Sequence, residues 1–197
     1  MSRLLDNICN MTNIEINNLA KNRYTDEPIQ EWIANYGNIR ARYYLAENSE
    51  ISQKATEILL SGKSNLAKIL LVGAGNVSCP DDIRRIYSSV KKKSLAPYRV
   101  NMFIRGNYWC RAHDNINTPT DVLEDIYETY VVRHAPERQA YRYYETIIGR
   151  TLCGHKNVSL KLAIQLSQHP SPDISREGKA ALVRVSKEQN KPDLLNR

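Results

Sequence analysis

The side chains best placed for chemistry lie close together at Trp109, Arg111, His113 and Asp114. An indole, a guanidinium, an imidazole and a carboxylate could stack a flat ring, hold a phosphate and move a proton. No second motif completes the set. His134, His155 and His169 stand alone, and His155 and His169 fall in turns where an imidazole can cap a helix. Ser61-Gly62-Lys63-Ser64 ends like a phosphate-binding loop, but that loop needs a glycine where Glu57 stands, and a preceding strand. Cys9, Cys79, Cys110 and Cys153 are 70, 31 and 43 residues apart, which is no metal-ligand spacing. Buried reduced thiols are the expectation. No catalytic residue, cofactor or metal is expected.

A basic surface is the stronger signal. The chain carries 28 basic and 21 acidic side chains, net +7. Residues 1–62 have six basic and eight acidic groups, residues 63–117 ten and three, and residues 118–197 twelve and ten. The middle segment thus holds a surplus equal to that of the whole chain, and a local surplus attracts phosphate or acidic protein surface. On a helix near 80–94, Arg84, Arg85, Lys91 and Lys92 fall within an arc of about 120°. That arc lies opposite the apolar stripe Ile83, Ile86, Tyr87 and Val90. The alternative is a solvated outer face, with lysines near the C-terminus favouring the helix dipole. Arg99, Arg105 and Arg111 step about 240° each time and cannot share one face. Tyrosines accompany the cations; Tyr87, Tyr127 and Tyr130 fall on apolar stripes, where they fill space and seek a partner for the hydroxyl.

These residues must be carried by helices. Apolar residues recur at helical spacing, no segment alternates like a strand, and helix starts are marked. Thr118-Pro119-Thr120-Asp121 and Ser78-Cys79-Pro80-Asp81 read as capping boxes with Asp in the fourth place. Thr25-Asp26-Glu27-Pro28 and Ser171-Pro172-Asp173 mark two further starts. Helices are expected near 12–21, 28–46 with a break at Gly37-Asn38, 52–61, 65–74, 80–94, 97–113, 119–132, 136–153, 159–168 and 172–187. The opening phrase recurs at Thr12, Ser52, Ser78, Thr118 and Ser159, with gaps of 40, 26, 40 and 41 residues. A period near 40 is what stacked helix pairs produce.

That phrase, an Asn or His, a Ser or Thr, a Pro and then an apolar helix, resembles the leucine-rich-repeat-variant and HEAT-like α-solenoid families. Residues 74–83 and 112–123 carry it most clearly. The resemblance covers roughly residues 40–185 and implies stacked helices with an extended interaction surface; it names no reaction. Some variant-repeat proteins hold an iron–sulfur cluster on clustered cysteines, which this chain lacks. HEAT-like DNA glycosylases use Trp and Asp in their pockets, but no other motif of theirs stands in this chain.

The expected class is all-α: stacked antiparallel helix pairs forming a short, irregular right-handed α-solenoid. It would span 1–187 as a single repeat domain, with a polar tail at 188–197. The expected function is a non-enzymatic interaction module, an adaptor or scaffold. It would bind a partner protein with an acidic surface through Arg84, Arg85, Lys91, Lys92 and Arg105. The alternative is a nucleic-acid-binding protein using the basic ridge of residues 84–111 on phosphates, with a HEAT-like DNA-repair-type protein as one form of it. No stretch approaches the roughly 18 apolar residues of a membrane span. The first residues lack the pattern of a signal peptide, so a cytoplasmic location is expected.

Overall fold

The computed structural model describes residues 8–91, 96–105, 117–132 and 139–188, and only the backbone of residues 105 and 139–142. Among the described residues there are eleven helices and no strand. They are α1 (Asn13–Lys21), α2 (Glu27–Tyr36), α3 (Ile39–Ala46), α4 (Gln53–Ser61), α5 (Asn65–Gly73) and α6 (Pro80–Lys91). The rest are α7 (Pro97–Arg105), α8 (Thr120–Tyr127), α9 (Gln139–Gly154), α10 (Leu160–Ser167) and α11 (Pro172–Glu188). Contacts gather the chain into two compact units, Met1–Ser78 with Arg105–Asn115, and Cys79–Ile104 with Ile116–Arg197. The sequence reading of one array over 1–187 does not separate them.

In the first unit the helices begin where a short polar side chain can satisfy a free N–H. Thr12 accepts from the Glu15 N–H at 3.3 Å while the Glu15 carboxylate accepts from the Thr12 N–H at 2.7 Å, closing a capping box. Asn38 accepts from Ala41 at 2.9 Å and Ser64 from Ala67 at 3.3 Å. These three caps, of α1, α3 and α5, stand 26 residues apart. The expected break at Gly37 is present, and a Cβ there would sit 2.5 Å from the Ile33 carbonyl oxygen. Each helix of α1–α5 touches the next and the next but one. Ala20, Ala46 and Val72 are buried at 26-residue intervals, and α5 buries Ile69, Leu70, Leu71 and Val72 in succession, as a central helix does.

One bond recurs at helix ends of the first unit. The Asn48 side-chain amide donates to the carbonyls of Ala20 (3.2 Å) and Asn22 (3.1 Å). The Asn76 amide donates to those of Ala46 (2.9 Å) and Asn48 (3.0 Å). Carbonyls at a helix end lack an intrahelical donor, and the asparagine supplies one. In the second unit the Asn157 amide donates to the Thr118 carbonyl at 3.0 Å, just before the start of α8.

In that second unit α6, α8 and α10 begin at Pro80, Thr120 and Leu160, 40 residues apart. The 40-residue step from Thr12 to Ser52 is of another kind, because it joins the caps of α1 and α4, which occupy different places in the 26-residue pattern. The capping box expected at Thr118 does not form. Pro119 holds the cap position, with φ −63° and ψ 149°, and no side chain caps the helix. Thr118, restricted by the following proline, is fully buried instead. Past Tyr127, α8 widens into one π-type turn over Glu128–Val132 that buries Tyr130 and Val131.

Helix α11 packs on α9 and α10 through glycines. A Cβ at Gly178 would lie 2.4 Å from the Leu166 carbonyl carbon, and one at Gly149 would lie 2.6 Å from Ile174 Cδ1. Arg184 Nη2 reaches back to donate to the carbonyls of Cys153 (3.0 Å) and His155 (2.9 Å), capping the C-terminus of α9. Of the cysteines, Cys153 is buried as expected, but Cys9 and Cys79 are exposed. Burial, then the Glu177 carboxylate, pushes the Cys153 thiol up to about 12. Cys110 lies outside the described residues. Among those residues, no helix is long and apolar enough to cross a membrane.

Candidate functional site

The cations of α6 lie opposite its buried stripe of Ile83, Ile86, Tyr87 and Val90, where the helical period puts them. Carboxylates engage them. Arg84 donates from Nε to Asp121 Oδ2 at 2.9 Å and from Nη2 to Asp121 Oδ1 at 3.0 Å, a two-pronged pair. Its Nη1 donates to Asp81 at 2.8 Å. Arg85 donates to Asp82 at 2.8 Å, and Lys91 Nζ to Asp125 Oδ1 at 2.7 Å. The Arg84 guanidinium holds the Asp121 carboxyl below the usual range, more than burial raises it, and the two carboxylates raise the guanidinium in turn. Three cations thus meet four carboxylates, and among the described residues the ridge carries little free positive charge. Lys92 lies outside the described residues, and so does the side chain of Arg105 at the end of α7.

The ladder continues along α8. Tyr87, buried as its place on the apolar stripe requires, donates its hydroxyl to Asp125 at 2.7 Å. Burial and that carboxylate raise the phenol. On the other flank of α8, Ser159 donates to Glu124 at 2.7 Å and Lys161 to the same carboxylate at 3.2 Å. These contacts register α6 on α8 and α8 on α10, with partners 34–38 residues apart.

Both histidines placed at turns accept a backbone bond there. His155 Nδ1 takes the Asn157 N–H at 3.0 Å and His169 Nδ1 the Ser171 N–H at 3.1 Å. His169 Nε2 lies 3.6 Å from Glu145, and its ring meets Tyr127 edge-on at 6.5 Å between centroids. Burial lowers its pKa, partly opposed by Glu145. Trp109, Arg111, His113 and Asp114 lie outside the described residues. Among the described residues no three His, Cys, Asp or Glu side chains converge as a metal would need.

A second surface, unmarked by any sequence motif, lies in the first unit. Ile14, Tyr36 and Ile39 are 72%, 74% and 61% exposed. Their chain positions are close: Asn38 donates to Asn13 at 3.0 Å, joining the N-terminal ends of α3 and α1, and Gly37 links Tyr36 to α3. Trp32 packs on Tyr36 with centroids 6.0 Å apart. Beside Ile39 stand Arg40, exposed, and Arg42, half-buried, neither ion-paired among the described residues. One signal was available: Ile14 and Ile39 are aliphatic residues off the buried faces that Ile16, Ala20, Ala41 and Leu45 define.

Compared with known proteins, the chain matches no family model, no curated protein and no solved structure.

Proposed function

We propose that this chain is a short, irregular α-solenoid that works as a non-enzymatic interaction module, an adaptor or scaffold for a partner protein with an acidic surface. The observation that carries the reading is the repeated asparagine bond, made by Asn48 and Asn76 to the backbone at the ends of α1 and α3. A bond made twice within α1–α5, with each of these helices touching the next and the next but one, supports translational stacking. Stacked repeats leave extended faces that serve binding. Of the proposed partner-binding set Arg84, Arg85, Lys91, Lys92 and Arg105, Arg85 is the freest among the described side chains, three-quarters exposed with a single carboxylate partner. The pairing of Arg84 and Lys91 weighs against a phosphate track, which would require their charges to be available. Affinity capture from the native host, with and without nuclease, tests the reading. A protein band that survives nuclease supports it; recovery only through nucleic acid turns it to the alternative.

A further inference from the structure

We infer that the edge formed by the first turns of α1 and α3 and the last turn of α2 docks a segment of a partner protein that presents apolar anchors beside aspartate or glutamate. The inference rests on the interaction-module reading and moves the contact from the basic ridge of α6 to this edge. Exposed apolar side chains standing singly need no explanation, but neighbouring ones do. Ile14, Tyr36 and Ile39 are each more than half exposed, and the Asn13–Asn38 bond and the Gly37 turn bring their chain positions together. Folding has left this surface uncovered while burying Ile16, Ile33 and Leu45 on the same three helices.

Charge selects the occupant. Arg40 and Arg42 flank Ile39 without an ion pair among the described residues, unlike Arg84, Arg85 and Lys91. On α3, Arg42 is three residues beyond Ile39 and shares its face. An aromatic, aliphatic and arginine combination is the composition of binding hot spots. A second copy of the chain fits poorly, since a two-fold contact returns each patch on itself and sets arginines against arginines. Nucleic acid fits less well: of the three exposed apolar side chains only Tyr36 offers a stacking face, and two cations make a short track.

Two fluorescein-labelled amphipathic peptides test this, with identical leucine and phenylalanine positions flanked by glutamate in one and lysine in the other. Fluorescence anisotropy should find the glutamate peptide bound about tenfold more tightly. The double variant Tyr36→Ser/Ile39→Ser should weaken it about tenfold or more. Arg40→Ala/Arg42→Ala should bring the two peptides to similar affinity. All the changes are at positions outside the core, so circular dichroism should match the parent. Equal binding of both peptides to the parent, or patch variants that bind like it, overturns the inference. If Arg84→Glu/Arg85→Glu alone abolishes binding, the docking site is on α6 and only the interaction-module reading survives. If neither peptide binds, the inference falls; nuclease-sensitive capture would take the broader reading with it. Dimerisation by light scattering that Ile39→Ser abolishes replaces the partner by a second copy.

Discussion

Replacing Gly178 by alanine puts a methyl group where α11 crosses the end of α10. The new Cβ would stand 2.4 Å from the Leu166 carbonyl carbon and 2.5 Å from both the Leu166 oxygen and the Ser167 nitrogen. Ordinary contact is about 3.5 Å or more, so α11 must retreat by about 1 Å. All three obstacles are backbone, and no rotamer change clears them. Overpacking of this kind costs about 1–3 kcal/mol, and a gap of ~1 Å forfeits a quarter to a half of each dispersion contact around it. Those contacts include the fully buried Leu162, Leu166 and Ile174. Alanine returns about 1 kcal/mol through helix propensity. The net expectation is a loss of about 2 kcal/mol, or a Tm lower by about 4–8 °C for a chain of this length. Gly149→Ala is the comparison. Its Cβ meets only the Ile174 side chain, at 2.6 Å, which can turn aside, so the loss should be smaller and partly recovered by Ile174→Val. Urea and thermal melts followed by far-UV circular dichroism measure both. A Gly178→Ala variant as stable as the parent would refute the close crossing of α10 and α11.

Three further outcomes follow from the same geometry. Asn48→Ala deprives the Ala20 and Asn22 carbonyls of their donor at a buried site and should cost about 1–3 kcal/mol in denaturant melts; Asn48→Asp should not restore it, because a carboxylate cannot donate. Burial lowers the His169 pKa in the folded chain, with Glu145 opposing, so the unfolded chain binds the proton more readily; its contribution is whole above about pH 6.5 and fades as pH falls toward the lower folded value. Melts of the parent and His169→Gln across pH 5–8 should converge at the acid end, and parallel curves would contradict this. Arg84→Glu should lower stability in low salt by setting a carboxylate against Asp81 and Asp121, and Asp121→Arg on that background should recover part of it; additivity of the two changes in a mutant cycle would argue against the pair.

The helices were legible because their starts carry a chemical mark. Thr12, Ser52, Ser64 and Ser159 hold hydroxyls three residues before a free N–H, and Pro80 and Pro172 stand at the first helical position of α6 and α11. The helical period also placed Ile83, Ile86, Tyr87 and Val90 inside and the cations of α6 outside. The fate of those cations was not legible, because Asp121 and Asp125 stand 34–37 residues away and meet them only through folding. A charge surplus counted along the chain ignores such partners. It also passed over Arg40 and Arg42, which lie in a stretch of net negative charge yet stand without an ion pair among the described residues. Thr118 shows the limit of local motifs. Its neighbours spell a cap, but Thr118 is buried, its carbonyl accepts from Asn157, and the start of α8 falls to Pro119. The π-type turn after Tyr127 left no mark in the residue types at all.

The amide of Asn48, like those of Asn76 and Asn157, grips carbonyl oxygens and not side chains. A carbonyl is supplied by every amino acid, so the gripped position is free to change identity, and an alanine, an asparagine and a threonine all serve there. The spacing is tolerant as well: from Asn22 to Asn48 is 26 residues and from Asn48 to Asn76 is 28. A joint that asks one residue on one side and nothing specific on the other keeps its bond while the gripped position changes identity.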